Sequence, residues 1–322
     1  MRFLVFTGGE KNQLFDLLFS DLRGLRQVDL HPELPMIPDK LRWLWKIHHA
    51  SKLNGKRPLP FREAWGRYCS LYDFHPEPGE EYCLVFSNIS IGSYEPALLN
   101  SLKRKYNVRL VLYLLDSYTS YYSKQARIAR QQVDFDGVYT FHEPDAENYG
   151  MSFFDTYYSC LPIEKRELSE DAFFWGSDAG RGPLVENIYD MLVEEGLKAD
   201  FGICYSDPGR KKRQGIYYDS PIPYHEMLSR MSAAGCIVDV VGAYSGGISL
   251  RAYEAVAYGK KLLTNNPLVK NMRFYHSEYM QVFDSPKDID PEFVRSKEPV
   301  DYGYQGEYSP IHWLERLESE LK

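Results

Sequence analysis

The chain has 322 residues, of which 44% are hydrophobic and 26% charged, a balance typical of globular proteins. The formal net charge of −7 argues against a nucleic acid as the main partner, since nucleic-acid binders usually present a basic face. No apolar run reaches the roughly 18 residues needed to span a bilayer. The five cysteines are scattered without CxxC spacing, which indicates neither a zinc site nor a disulfide framework. We therefore expect a cytoplasmic, two-domain protein that binds no metal.

The first half of the chain alternates strand-like and helix-like patterns. Strands are predicted for the apolar runs at 2–6, 82–88, 108–116 and 135–141. Helices are predicted for the amphipathic patterns at 12–23, 94–106 and 118–131. The run at 2–6 is followed at once by Thr7, Gly8 and Gly9, so we interpret it as a first strand and not as a signal peptide. This alternation predicts a parallel sheet covered by helices on both faces.

Residues 31–80 interrupt the alternation and predict a helical insertion. The stretch KLRWLWKIHHASKL at 40–53 indicates a basic helix with an apolar stripe, and 61–72 indicates a second helix. The basic helix, which contains His48 and His49, could meet an anionic acceptor or a membrane surface. A solvated basic face over an apolar stripe is the simpler interpretation, and both stay open.

A second α/β alternation begins near residue 171. Strands are predicted at 171–177, 199–205, 236–242 and 261–265, and helices at 182–197, 223–235, 248–259 and 308–320. The polar, basic stretch at 207–215 is predicted to be an exposed loop.

The two alternations predict an α/β protein with two Rossmann-like domains, at 1–165 and 166–305. A final segment, 306–322, is expected to pack back on the first domain. Ligands of such folds bind at the carboxyl ends of the strands, in the cleft between the domains.

The stretch GGISLRAYEAVAYGKKLLTNN, which begins at Gly246, predicts a loop, a helix, a tight turn and a strand. A helix start offers unpaired N–H groups and the positive end of the helix dipole, which attract phosphate. Gly246 and Gly247 allow close backbone approach, and Ser249 and Arg251 add a hydroxyl and a charged fork. Glu254 lies two turns beyond Gly247, where its carboxylate can accept hydrogen bonds from ribose hydroxyls. The arrangement suits a nucleotide.

A structural interpretation of the same stretch is also open, because glycines cap loops and Arg251 with Glu254 could form only a surface ion pair. The stretch FFWGSDAGR, which ends at Arg181, makes a similar case. Its apolar strand leads into Gly176, and a helix is predicted to follow. It could hold phosphate or sugar oxygens, or it could be a well-formed strand-to-helix turn.

The segment CIVDVV…SGGISLRAYEAVAYGKKLLTNN resembles the nucleotide-binding segment of GT-B glycosyltransferases, especially bacterial enzymes of lipopolysaccharide or capsular polysaccharide synthesis. Four further segments resemble the same group in the same order: VLYLLDSYTS, FDGVYTFHEPDAENYGMSFFDTYYS, FFWGSDAGRGPLVENI and YSPIHWLERL. The resemblance covers roughly residues 108–317, and residues 31–80 match less clearly.

The resemblance implies the GT-B fold, with two Rossmann-like domains facing each other across a cleft and the donor nucleotide-sugar held mainly by the second. It places Glu254 at the ribose and the preceding loop and helix start at the diphosphate. The donor-binding residues that it implies are Gly176, Arg181, Gly246, Gly247, Ser249, Arg251 and Glu254. Many retaining members carry an acidic residue eight positions before the ribose glutamate. Here that position is Gly246, which speaks against a retaining site of that kind without establishing inversion.

Sugar transfer also needs a base for the acceptor hydroxyl if the enzyme inverts. Asp116, which closes the strand predicted at 108–116, is the best-placed candidate, and the structural interpretation of this residue is the N-cap of the helix expected from about 118. His142, Glu143 and Asp145 follow the next strand, where an acidic residue could instead open a short helix, and Glu10 follows the first strand.

These observations predict a metal-independent glycosyltransferase that needs no cofactor beyond its nucleotide-sugar substrate. The expected acceptor is a glycan or lipid-linked glycan of surface polysaccharide synthesis, and peripheral contact with the inner face of a membrane stays open as an interpretation. The alternatives are a nucleotide-sugar epimerase or hydrolase on the same scaffold, and a non-catalytic nucleotide-binding scaffold protein.

Overall fold

The computed structural model describes residues 1–7, 17–31, 37–49, 60–68, 71–164, 166–207, 209–242 and 247–321. The chain divides into two compact units. Unit 1 comprises Met1–Ser159 and Pro310–Lys322, and unit 2 comprises Cys160–Ser309. The final helix therefore belongs to the same unit as the first strand. No described helix is both long enough and apolar enough to cross a bilayer.

Unit 1 contains a six-stranded sheet in which every neighbouring pair is parallel. Its strands are β1 (Arg2–Phe6), β2 (Val28–His31), β3 (Tyr82–Ser87), β4 (Arg109–Leu114), β5 (Gly137–Thr140) and β6 (Ser152–Phe153). Their order in the sheet is β2-β1-β3-β4-β5-β6. The central strands are buried along almost their whole length, as expected of a parallel sheet that helices cover on both faces.

The described α-helices of unit 1 are α1 (Arg42–His49), α2 (Pro96–Tyr106), α3 (Lys124–Gln132), α4 (Glu143–Tyr149) and, at the end of the chain, α9 (Pro310–Glu320). Trp313 of α9 is fully buried and stacks on Tyr157, with ring centroids 5.4 Å apart. The N-terminal ammonium group of Met1 lies 3.0 Å from the Glu318 carboxylate. These contacts fix the last helix within unit 1.

Unit 2 contains a second six-stranded parallel sheet. Its strands are β7 (Glu170–Ser177), β8 (Ala199–Cys204), β9 (Ile216–Tyr218), β10 (Ala234–Asp239), β11 (Lys261–Thr264) and β12 (Met280–Val282). Their order is β12-β11-β10-β7-β8-β9. Counted from the first strand of the unit, this is the Rossmann order 3-2-1-4-5-6.

The α-helices described in unit 2 are α5 (Gly182–Glu194), α6 (Tyr224–Ser232), α7 (Leu250–Tyr258) and α8 (Pro291–Arg295). Pro183 lies in the first turn of α5, where its missing N–H group costs no hydrogen bond. The predicted fold class of two Rossmann-like α/β units is thus confirmed.

The predicted helices of the insertion are confirmed only in part. Among the described residues of 61–72 there is a 3-10 helix, Arg62–Tyr68, in place of an α-helix. The basic helix predicted at 40–53 is α-helical over Arg42–His49, and residues 50–53 lie outside the described part of the chain. Most of the helix predicted at 12–23 lies outside the described residues, and Ser20–Leu22 within it form a 3-10 turn.

Candidate functional site

The sheet of unit 2 reverses its order between β7 and β10. From β7 the sheet continues through β8 and β9, and from β10 it continues through β11 and β12. The loops that follow β7 and β10 therefore diverge, and the crevice beyond the carboxyl ends of these two strands is where such sheets bind ligands. The segments 173–181 and 246–254, predicted separately as ligand sites, both contribute residues here.

Asp239, the last residue of β10, is buried at this position and is only 1% exposed. Its carboxylate accepts a hydrogen bond of 2.8 Å from the hydroxyl of Thr264 at the end of β11. Burial raises the pKa of Asp239, and the hydroxyls of Thr264 and Ser249 and the charges of Arg181 and Arg251 oppose that rise. Residues from three segments that are far apart in the sequence therefore share one electrostatic environment.

Arg181 lies directly beyond β7, at the N-cap of α5. Its guanidinium donates to the carbonyl oxygen of Ser177 at 3.0 Å and to that of Val240, so it joins the ends of β7 and β10. A Cβ atom on Gly176 would lie 2.8 Å from Nη2 of Arg181, so the glycine leaves the space that the guanidinium occupies. Burial lowers the pKa of Arg181, and Asp239 opposes the effect.

Arg251 and Glu254 form an ion pair in α7, and this pair is not on the surface. The Glu254 side chain is fully buried, whereas that of Arg251 keeps 20% exposure. Arg251 Nη2 also donates to the Trp175 carbonyl oxygen at 2.7 Å, and the Tyr224 hydroxyl donates to Glu254 Oε1 at 2.6 Å. Burial alone would lower the pKa of Arg251, but Glu254, Tyr224 and Asp239 together outweigh burial, and the pKa is raised.

The start of α7 has the features expected of a phosphate-binding helix terminus. Ser249 is the N-cap residue, and its side chain makes no capping bond. Gly247 has a φ of +81°, which favours glycine, and its carbonyl oxygen accepts a 2.9 Å hydrogen bond from Asn266 Nδ2. Gly246, the other predicted glycine, lies outside the described residues.

The two asparagines that end the stretch GGISLRAYEAVAYGKKLLTNN hold neighbouring loops in place. Asn265 accepts from the Val241 N–H at 2.7 Å and donates to its carbonyl oxygen at 3.1 Å, which ties β10 to β11 beyond the sheet. Asn266 is 4% exposed and fixes Gly247. Sequence reasoning missed these positioning roles. The sequence feature that could have revealed them is the pair of polar residues directly after an apolar strand.

A second buried ion pair lies at the start of α5. Asp178 accepts hydrogen bonds from the N–H groups of Gly180 and Gly182, each at 3.1 Å, and its other oxygen lies 2.7 Å from Arg210 Nη1. The Arg210 side chain is only 15% exposed. The prediction of an exposed loop at 207–215 is therefore wrong for this residue, because Asp178 supplies a buried counter-charge.

In unit 1, Asp116 follows β4 and accepts a 3.0 Å hydrogen bond from Asn88 Nδ2. Asn88 itself follows β3, so the carboxyl ends of two adjacent strands place this carboxylate. Burial raises the pKa of Asp116, and the bond from Asn88 opposes the rise. The alternative role as a helix N-cap is wrong, since Ser120 caps the turn Tyr121–Ser123 that precedes α3.

The other candidate bases lie on different elements. Asp145 is buried in the first turn of α4, accepts from the Tyr118 N–H at 2.6 Å and lies 3.1 Å from His142 Nδ1. Glu143 opens α4, so this segment begins a short helix as the simpler interpretation expected. Glu10 lies outside the described residues. Within the described part of the chain, no group of three His, Cys, Asp or Glu side chains could hold a metal ion.

No protein-family model matches the chain, and no curated protein matches its sequence. Several solved structures are similar to it. A putative UDP-N-acetylglucosamine 2-epimerase from Listeria monocytogenes is 7% identical with a TM-score of 0.49, and the match covers all of this chain and 96% of that one.

The spinosyn forosaminyltransferase SpnP is 12% identical with a TM-score of 0.43, over 92% of this chain and 88% of that one. The glycosyltransferase SsfS6 of Streptomyces sp. SF2575, complexed with thymidine diphosphate, is 12% identical with a TM-score of 0.38, over 84% and 83% of the two chains. These likenesses are distant, and the functional argument rests on the chain's own residues.

Proposed function

We propose that the chain is a glycosyltransferase that moves a sugar from a nucleotide-sugar donor to a glycan or lipid-linked glycan acceptor in surface polysaccharide synthesis. The observation that carries the proposal is the convergence of Arg181, Arg251 and the start of α7 at the switch point of the unit 2 sheet. Cationic forks and helix N–H groups are the partners that a diphosphate requires. The proposed enzyme uses these groups in place of a metal ion.

In this proposal the diphosphate lies against the backbone of Gly246 and Gly247 and the Ser249 hydroxyl. Arg251 and Arg181 supply positive charge as the diphosphate leaves, and Gly176 keeps the space that Arg181 needs. Both guanidiniums are fixed by backbone carbonyl oxygens, so little reorganisation is needed when negative charge develops.

Glu254 is proposed as the ribose ligand, and the groups around it suggest a way for the ribose to bind. Its carboxylate is buried and already accepts a hydrogen bond from the Tyr224 hydroxyl. A ribose hydroxyl is a donor of the same chemical kind. Ribose binding would therefore replace one hydroxyl donor with another at Oε1, and Tyr224 would move away from the carboxylate.

Asp116 is proposed as the base that removes the proton of the acceptor hydroxyl. A general base works best when its pKa approaches the working pH. The burial that raises the pKa of Asp116 acts in this direction, and Asn88 fixes the orientation of the carboxylate. The balance of the reaction is simple: the sugar–phosphate bond breaks, a glycosidic bond forms, and the acceptor proton passes to Asp116.

The proposal is tested by thermal unfolding with UDP-, GDP-, CMP-, ADP- and dTDP-sugars, for the wild type and for Arg251→Gln. A ligand at about 100 times its dissociation constant stabilises the folded state by about 2.7 kcal/mol. The proposal predicts a shift with one nucleotide class that is reduced in the variant. No shift with any nucleotide would contradict the proposal. In an activity assay with the nucleotide-sugar that binds, release of free sugar at the same rate with and without an acceptor would favour the hydrolase alternative.

A further inference from the structure

The loop that follows β4 in unit 1 has an unusual composition. Directly after Asp116 the chain reads SYTSYYS at 117–123, so seven consecutive side chains carry a hydroxyl group and none carries a charge. Three of the seven are tyrosines, which combine an apolar ring face with a hydroxyl group. A saccharide makes contacts of both kinds, with the C–H faces of its rings and with its hydroxyl groups.

Two neighbouring tyrosines of this loop are exposed. Tyr121 and Tyr122 are 77% and 70% exposed. Among the described residues, no other two consecutive large hydrophobic residues are both exposed. Their ring centroids lie 5.9 Å apart and the ring planes are at 80° to each other. The pair therefore presents two aromatic faces to solvent at nearly a right angle.

Hydrogen bonds fix the backbone that carries the two tyrosines. Arg127 of α3 donates to the carbonyl oxygens of Tyr118 and Ser120, the latter at 2.8 Å. The Ser120 hydroxyl accepts from the Tyr122 N–H at 3.2 Å, and the buried carboxylate of Asp145 accepts from the Tyr118 N–H at 2.6 Å. Aromatic side chains on a fixed backbone lose little conformational freedom when they bind a ligand.

The same loop begins at the proposed base. Ser123 is buried, and its hydroxyl donates to the carbonyl oxygen of Asp116 at 3.4 Å, so the end of the loop returns to its start. Tyr121 and Tyr122 directly precede Ser123 in the same 3-10 turn. The aromatic pair thus lies at the carboxyl edge of the sheet, where the proposed function places the acceptor hydroxyl.

We propose that Tyr121 and Tyr122 bind the saccharide part of the acceptor by stacking on its sugar rings, beyond the hydroxyl that reacts. The inference rests on the proposed function, because it takes Asp116 as the base. It names the acceptor class as a chain of at least two uncharged sugars, since the loop from 117 to 123 offers rings and hydroxyl groups and no charge.

The chemistry of the pair favours this ligand. The C–H bonds of a sugar ring carry partial positive charge and are attracted to the negative face of an aromatic ring. Tyrosine supplies a large contact area while only two side-chain torsions become ordered. A protein partner fits less well, because two side chains provide far less than the roughly 800 Å² that each partner buries in a stable complex.

The experiment is binding of the whole protein, without nucleotide, to an array of immobilised neutral di- to hexasaccharides. The wild type is expected to bind at least one of them. Titration with that oligosaccharide should give a Kd about tenfold higher for Tyr121→Ala and for Tyr122→Ala. The double variant Tyr121→Phe, Tyr122→Phe keeps both ring faces and should stay within about threefold of the wild type.

The matched control is Tyr72→Ala, which removes another exposed tyrosine of unit 1. Tyr72 lies two residues before Phe74, whose ring contacts Tyr82 at the start of β3, toward the opposite edge of the sheet. This variant is expected to bind like the wild type. The proposal is overturned if no oligosaccharide binds, if the alanine variants at 121 and 122 bind like the wild type, or if the control loses as much as they do.

Thermal unfolding with the nucleotide panel separates this proposal from the proposed function. The alanine variants at 121 and 122 are expected to keep any nucleotide-induced shift, because the proposed donor residues belong to unit 2. A wild type that binds an oligosaccharide through the two tyrosines but responds to no nucleotide would support the saccharide surface and contradict the donor site. A nucleotide-induced shift without oligosaccharide binding would support the donor site and overturn this inference.

Discussion

Replacing Glu254 by glutamine tests the buried network on which the proposed donor site is built. The substitution keeps the size of the side chain and removes its charge, leaving Arg251 without its nearest counter-charge. Breaking one partner of a buried ion pair typically costs about 3–5 kcal/mol. Arg251 keeps 20% exposure and its bond to the Trp175 carbonyl oxygen, so we expect the lower figure of about 2–3 kcal/mol.

The assay is thermal unfolding without ligand, followed by tryptophan fluorescence and by calorimetry. Domains of about 150–250 residues lose roughly 2–4 °C in Tm per kcal/mol, so a loss of about 2–3 kcal/mol should lower the Tm by roughly 4–12 °C. Glu194→Gln is the matched control, because it makes the same substitution at an exposed position of α5. It should change stability by no more than about 0.5 kcal/mol.

A second variant separates the two hydrogen bonds of the carboxylate. Tyr224→Phe removes one donor and should cost about 1.5–3 kcal/mol, because the acceptor is charged. Because Glu254 and Tyr224 contact each other, the double variant Glu254→Gln, Tyr224→Phe should lose less stability than the sum of the two single losses. If Glu254→Gln unfolds within about 0.5 kcal/mol of the wild type, the carboxylate is not the buried counter-charge described above, and the reasoning fails.

Three further predictions follow from named contacts. Gly182→Ala places a Cβ 1.4 Å from Arg210 Nη1, so Arg210 must leave its buried ion pair with Asp178. Alanine also favours the helix more than glycine does, so the net decrease in the free energy of unfolding should be about 1–2 kcal/mol, measured with denaturant. Asp116→Asn should lower kcat about 10²–10⁴-fold and leave the nucleotide-induced thermal shift unchanged. Because burial raises the folded-state pKa of Asp239, wild-type stability measured against Asp239→Asn should increase as the pH falls through that raised pKa.

Each of these has a control or a contrary outcome. Gly235→Ala adds a methyl group 3.7 Å from its nearest neighbour and should show no comparable loss. If Asp116→Asn had the same kcat as the wild type, a group other than Asp116 would remove the proton of the acceptor hydroxyl. For Asp239, the direction of the pH dependence is the test. If the stability of the wild type relative to Asp239→Asn increased with rising pH, the fold would stabilise the Asp239 carboxylate as an anion, and the prediction would be wrong.

The sequence predicted the central strands of both sheets and missed their edges. The four strands that escaped, β2, β6, β9 and β12, are the two outer strands of each sheet. Each has at most four residues and lacks the long apolar run of a strand buried on both faces. Each of these outer strands forms by pairing with the adjacent strand of the folded sheet, and a local sequence pattern does not contain that contact.

Only part of the arrangement of the candidate site could be predicted, for a similar reason. Glycines, a serine and spaced charges are local signals, so the sequence could name Gly176, Arg181, Ser249, Arg251 and Glu254 as candidates, and their role in binding a donor stays a prediction. That the two arginines share one carboxylate, Asp239, depends on strand order, which no local pattern contains. The burial of Glu254 depends likewise on tertiary packing by Tyr224 from another helix.

Hydrogen exchange of backbone amides, with and without UDP, GDP, CMP, ADP or dTDP, tests the central claim most directly. The claim is that a nucleotide binds at the switch point of unit 2, against the start of α7. It predicts that one nucleotide slows exchange in residues 247–253 and 176–182 and leaves exchange in helix α1 unchanged. Protection confined to other segments, or no protection with any of the five, would contradict it.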